Sequence, residues 1–246
     1  MSGTVRLDKL LSNLGYGTRA EVAALARAGE VTLDGSPVWD ARGRIALDPD
    51  LPARLSVMGQ RLDPLPGLVI VMNKPCGVTC SRKEDGRLVY DLLPLRYLRR
   101  DPALSTVGRL DKDTSGLLLL TDDGALLHRL ISPKHHVVKV YRARLARPLE
   151  GHESAALASG AMMLEGDDKP LLPARLEVLG EREARIHVHE GRYHMVRRMF
   201  AALGNHVEAL HREAMGGFAL PDDLAPGRWR AMTRAEIDSL FAAESP

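Results

Sequence analysis

Two uninterrupted apolar runs set the frame for this chain. LVIVMNKP (68–75) opens with five consecutive apolar residues and is ended by proline, and LLLLT (117–121) is apolar up to its threonine. Runs this short read as strands buried in a sheet. The segments around them mix both periodicities. GALLHRLI (124–131) has a helical pattern, with Asp122 or Asp123 available as N-cap and Pro133 as the stop. VKVYRARL (138–145) alternates like a strand, and RIHVHEG (185–191) reads as another. YHMVRRMFAALG (193–204) predicts an amphipathic helix ending at Gly204, and Thr233-Arg234-Ala235-Glu236 has the capping-box form before a short last helix. Without a regular βαβ alternation, the mixture predicts an α+β fold.

The first sixty residues read as a compact module. Leu7, Leu10, Leu11 and Leu14 recur at helical spacing until Gly15 and Gly17 break the pattern. Thr18 and Glu21 form a capping box for a second helix through Val22, Leu25 and Ala26, which stops at Gly29. VTLDGSPVW (31–39) predicts a hairpin about Asp34-Gly35. LDPLPG (62–67), with two prolines and a glycine, is the expected linker. The expected division is thus a module over 1–61 on a flexible tether and a larger domain over 68–246.

Hydrophobic residues at 45% and charged residues at 27% are ordinary for a globular protein. Two cysteines, Cys76 and Cys80, exclude a disulfide scaffold, and their C-x3-C spacing has no second pair for zinc, so half-buried free thiols are expected. Nothing resembles a signal peptide, and no apolar run approaches the roughly 20 residues of a membrane span. A reducing cytoplasm is the expected compartment. The net charge of +2 hides an uneven distribution. Residues 64–149 hold fifteen Lys/Arg against eight Asp/Glu, whereas 150–246 hold eleven against sixteen. A basic middle is what local phosphate binding would look like, although charge alone favours a solvated basic face.

The densest polar signal is GRLDKDTSG (108–116), set between buried-looking strands. A loop at the end of a core strand is held rigidly enough for chemistry, and a tight turn with Asp113 and Thr114 as local caps would also fit. His135 and His136, in a basic loop, suit either a phosphate contact or simple exposure, and Asp167 and Asp168 read as surface charge.

GRLDKDTSGLLLLTDDG resembles the signature loop of the pseudouridine synthases, in their RsuA-type branch. NKPCGVTCS, KVYRARL and EGRYHMVRRMFAALGNHVEALHRE resemble that family's other motifs, in order. RLDKLLSNLGYGTRAEVAALARAGEVTLDG resembles the αL RNA-binding module shared with a small-subunit ribosomal protein. The resemblance implies a mixed, mostly antiparallel central sheet flanked by helices. It implies an isomerase that cuts the C1′–N1 bond of a uridine, turns the base and rejoins it through C5, without cofactor or metal. The essential aspartate maps onto Asp111. A carboxylate closed in with a base tends to take up a proton, and a fixed cation opposes this. The resemblance assigns that cation to Arg197, with Arg198 beside it as the alternative. Tyr141 maps onto the family tyrosine, a surface for the flipped uracil and a participant in proton transfer from C5; by its strand position alone it could equally be a core tyrosine. Arg109 is the residue expected to fill the gap left by the flipped nucleotide, and Val196 to pack beneath the base. Arg192, Arg198 and Lys74 complete the implied substrate-binding set, with Tyr193 and His194 at the RNA entrance. Arg6, Lys9, Arg19 and Arg27 are expected to anchor RNA through the N-terminal module.

RYHMVRRMFAALGNHVEALHRE and the tail GGFALPDDLAPGRWRAMT follow the small-subunit form. Val140, where threonine is common, and Cys76, in place of a polar residue, depart from it. The expected partner is therefore small-subunit ribosomal RNA in an assembly intermediate, met by a monomer. The alternatives are the same reaction on 23S rRNA and a non-catalytic assembly factor, which would have no use for Asp111, Tyr141 and Arg197 together.

Overall fold

The computed structural model describes residues 3–81, 86–132 and 137–242, so Pro133, His135 and His136 lie outside the described residues. The chain divides into two compact units. The first comprises Met1–Val69, Leu93–Ser105 and Thr121–Gly124; the second comprises Ile70–Leu92, Thr106–Leu120 and Ala125–Pro246.

In the first unit, helices Leu7–Asn13 and Arg19–Arg27 bury Leu7, Leu10, Leu11, Leu14, Val22 and Ala26 in one core with Val31, Leu51, Leu55 and Val57. The Thr18 capping box forms: the Glu21 N–H donates to Thr18 Oγ1 and the Thr18 N–H to Glu21 Oε2, at 3.3 and 2.7 Å. Val31–Leu33 pairs antiparallel with Ser36–Pro37, and Asp34 and Gly35 both take positive φ, as a tight hairpin turn demands. Gly15 is obligatory for a different reason, since a Cβ there would lie 2.1 Å from the Arg96 carbonyl oxygen.

Residues 62–67, expected to link the two parts, are tied into this first unit. Leu62 lies in its core and the Asp63 carboxylate is buried against the Arg96 guanidinium. The Asp63 N–H donates to Tyr16 Oη at 3.0 Å, and Arg100 donates to the Pro64 carbonyl at 3.0 Å. Asp122, considered above as a helix cap, instead accepts from Arg100 Nη2 and the Gly67 N–H, both at 2.8 Å. The prolines and glycine make a turn-rich strap, and side-chain bonds hold it.

The second unit is built on a large mixed sheet. Its strand order is Arg175–Gly180, Glu183–Val188, Lys139–Leu145, Val207–Met215, Thr114–Thr121, Val69–Lys74 and Trp229–Ala231. Lys139–Leu145 pairs antiparallel with both neighbours, and Val207–Met215 runs parallel to Thr114–Thr121. The two apolar runs are the strands Val69–Lys74, buried throughout, and Thr114–Thr121, buried except at Ser115. Helix Met195–Ala202 packs Met195, Val196, Met199 and Phe200 into a core with Ala143, Leu145, Ile186 and Val188. Helix Gly124–Ile131 forms as its pattern predicts, and the Thr233 capping box is present, with Glu236 also paired to Arg230 at 2.7 Å. Among the described residues no helix is long and apolar enough to cross a membrane.

Candidate active site

The second unit contains a cavity of about 490 Å³. Its lining brings together residues of the strands Thr114–Thr121, Lys139–Leu145 and Val207–Met215, the 108–114 loop and the segment 191–196. Among the described residues Asp111 is the single acidic one in that lining, which also presents Arg109, Lys112, Lys139, Arg192 and Arg212. One carboxylate among five cations suits a polyanionic substrate and one carboxylate-dependent step.

The loop that carries Asp111 is fixed from below. Lys74 is buried, and its ammonium donates to the carbonyls of Asp111 at 3.0 Å, Thr114 at 2.8 Å and Lys112 at 3.4 Å. Burial pushes the Lys74 ammonium below the ordinary lysine range. Lys74 thus spends its donors on the main chain of the loop, where the resemblance had placed it on substrate. Gly116 ends the loop with φ +104 and sits so close to the strand Val207–Met215 that a Cβ would come within 2.3 Å of the Arg212 carbonyl oxygen.

Asp111, Tyr141, Arg109 and Val196 all line the cavity, Val196 buried and Arg109 exposed. Arg197 does not line it. Its Nη2 pairs with the Asp113 carboxylate at 2.9 Å and its Nη1 donates to the Val207 carbonyl at 2.7 Å. Among the described residues the basic side chain at the Asp111 carboxylate is His194, with Nε2 3.6 Å from Oδ1. The cation expected at Asp111 therefore holds Asp113, two residues further along the same loop.

Arg192 lines the cavity, but its guanidinium donates to Glu190 at 2.8 Å, Asp167 at 2.9 Å and the Lys169 and Pro170 carbonyls, each at 2.7 Å. Arg198 donates to the other oxygen of Asp167 at 2.9 Å and to the Tyr193 carbonyl at 3.2 Å. Both arginines, expected on substrate, clasp the turn that precedes helix Met195–Ala202. Asp167 is the centre of that clasp, in contrast to the surface charge its sequence position suggested. Cys76 is exposed and Cys80 buried, and among the described residues no group of three or more His, Cys, Asp or Glu is arranged to hold a metal ion.

Of the lining cations, Lys112, Lys139 and Arg212 have no role assigned from sequence. Arg212 is buried and donates from Nε to the Leu117 carbonyl at 2.7 Å and from Nη1 to Tyr141 Oη at 3.4 Å. Lys139 is pushed down to about 8, by burial first and the neighbouring Arg212 charge second. The alternation of VKVYRARL and VEALHREAM assigns Lys139 and Tyr141, and Leu210 and Arg212, to shared faces. That pattern was the available signal for both.

A carboxylate, a tyrosine and several cations gathered in one cavity on a mixed sheet fit an enzyme whose substrate is a polyanion. The chain belongs to the RNA pseudouridylate synthase family, whose sequence model matches residues 68–202; the S4 domain model matches residues 5–42. The family's reaction makes it an isomerase. The uncharacterized RNA pseudouridine synthase YtzG of Bacillus subtilis (strain 168) is 42% identical over 96% of this chain and 98% of its own length. The ribosomal small subunit pseudouridine synthase A of Yersinia pestis is 41% identical over 97% of this chain and 99% of its own. A pseudouridylate synthase crystal structure superposes with a TM-score of 0.66 at 38% identity, covering 96% of this chain and 99% of that one.

Proposed function

We propose that the protein converts a uridine of small-subunit ribosomal RNA to pseudouridine, with Asp111 as the essential carboxylate. The observation that carries this reading is the place of Asp111, the one acidic residue among the described residues lining a cavity that also presents five cations and Tyr141. The small-subunit target rests on the relatives of that name and their near-complete coverage. The reaction breaks C1′–N1, turns the uracil and forms C1′–C5; the proton that leaves C5 is balanced by the one N1 gains. Asp111 starts it by attacking the nucleoside or by removing a proton from it. Tyr141 supports the base, and its hydroxyl, accepting from Arg212, keeps its own proton free to point elsewhere. Val196 packs beneath the base and Arg109 fills the gap in the RNA, lowering the few kcal/mol that flipping costs. Lys74 and Arg197 act through the loop, by holding its carbonyls and Asp113.

Lys9, Arg19 and Arg27 are exposed and serve as RNA anchors, whereas Arg6 shares its charge with Asp8 at 2.6 Å. The carboxylate of Asp8 also feels the Arg19 charge. The reading is tested by mapping pseudouridines in ribosomal RNA from cells lacking the protein. One small-subunit site should revert to uridine and return with the wild-type gene; an unchanged small-subunit map, or loss in 23S rRNA instead, contradicts it.

A further inference from the structure

Beyond the reacting uridine, the cavity rim carries a feature to which the chemistry above gives no role. The Tyr193 ring is 71% exposed, unusual for so large a side chain, and lies stacked on the His194 imidazole with ring centroids 3.9 Å apart and planes 16° apart. Both residues line the cavity, and His194 Nε2 is 3.6 Å from the Asp111 carboxylate. The pair is held in place at some cost. His194 takes φ +48, ψ +30, a left-handed conformation that a side-chain-bearing residue adopts only when its surroundings impose it. Those surroundings are the clasp: Arg192 on one side is bonded to Glu190, Asp167 and two carbonyls, and Arg198 on the other joins Asp167 to the Tyr193 carbonyl. Two arginines and two carboxylates thus fix a two-residue turn whose outer product is one flat, solvent-facing aromatic surface.

We infer that Tyr193, backed by His194, is a stacking platform for the nucleobase next to the target uridine in the substrate RNA. The inference rests on the functional reading above and deepens it by naming a second base-binding position. A base is the fitting occupant for three reasons. The platform is continuous with the cavity that holds Asp111. The cationic lining guides a phosphate backbone past it. A nucleotide flipped out of its helix also leaves two neighbours, each with one face unstacked; Arg109 in the gap can cover one, and an exposed ring the other. Stacking is indifferent to base identity, so the platform contributes affinity and register more than sequence choice.

The test uses the full-length protein and a transcript of the small-subunit RNA segment around the mapped uridine. Tyr193→Ala should raise Kd roughly 5- to 100-fold, the range expected for one lost base stack, and leave the saturated single-turnover rate within about threefold. Tyr193→Phe, which keeps the face and drops the hydroxyl, should bind within about threefold of wild type. An abasic nucleotide on one side of the target should cost the wild type what Tyr193→Ala costs, and should cost Tyr193→Ala nothing more. Unchanged affinity in Tyr193→Ala, or an abasic penalty equally large in wild type and variant on both sides, overturns the platform. If wild-type protein forms no pseudouridine in the transcript, the functional reading falls, and the platform with it.

Discussion

Lys139 carries an electrostatic cost into the cavity wall. Its ammonium sits in the cavity wall beside the fixed charge of Arg212, with Glu190 only partly compensating, and its pKa falls to about 8 from an ordinary 10.5. The folded protein therefore disfavours the charged form. Below pH 8 the lysine is charged in both folded and unfolded chains, and the cost is fully present. Between about 8 and 10.5 the folded chain has released the proton while the unfolded chain still holds it, so stability rises with pH through this window. Lys139→Met removes the linkage. The variant's stability relative to wild type, read from urea midpoints, should be more favourable at pH 7 than at pH 10 by about 1–2 kcal/mol, after allowance for solvent screening. A difference that does not move with pH would show that the ammonium bears no such cost. An arriving phosphate or carbonyl oxygen offsets the cost, which places it where RNA is expected. At this scale the sequence was partly legible. The motifs led to Asp111, Tyr141, Arg109 and Val196, and one cavity gathers all four. Which carboxylate Arg197 would meet was not legible, because Asp111 and Asp113 lie two residues apart in one loop and only its three-dimensional course separates them.

Elements were legible wherever a local rule governs them. The leucine spacing of 7–14, both capping boxes, the Asp34-Gly35 hairpin and the helix Gly124–Ile131 depend on neighbours in sequence, and each formed. The strap at 62–67 did not follow its composition, since proline and glycine report turns but say nothing of Arg96 and Arg100, some thirty residues away, which hold it. Asp122 was drawn from a helix cap to Arg100 for the same reason: a buried guanidinium needs a carboxylate more than a helix end needs a cap. The helices Leu7–Asn13 and Arg19–Arg27 carry the anchor proposal. Phosphate contacts release counterions, so each one steepens the salt dependence by roughly one unit of log–log slope. Replacing Lys9, Arg19 and Arg27 together by glutamine in the full-length protein should weaken RNA binding at 100 mM salt. It should also flatten the slope by about two to three units while sparing the saturated rate. An unchanged slope would make these three side chains simple solvated charge.

For the molecule as a whole, the proposed division of labour follows from where charge and burial fall. In the first unit Lys9, Arg19 and Arg27 are exposed beside a small core, and in the second several cations and Asp111 line a cavity built on a mixed sheet. Conserving the positions of atoms while removing the charge of that carboxylate is the sharpest separation of the two activities, binding and chemistry. Asp111→Asn does this, because the amide has the carboxylate's shape and neither its charge nor its nucleophilicity. Purified wild type and Asp111→Asn should be compared in single-turnover pseudouridine formation on small-subunit ribosomal RNA, with Kd measured on the same preparations. The Asp111→Asn rate should be lower by at least roughly 10³-fold with Kd within about threefold; a rate within about tenfold of wild type would contradict the assignment of Asp111 as the essential carboxylate.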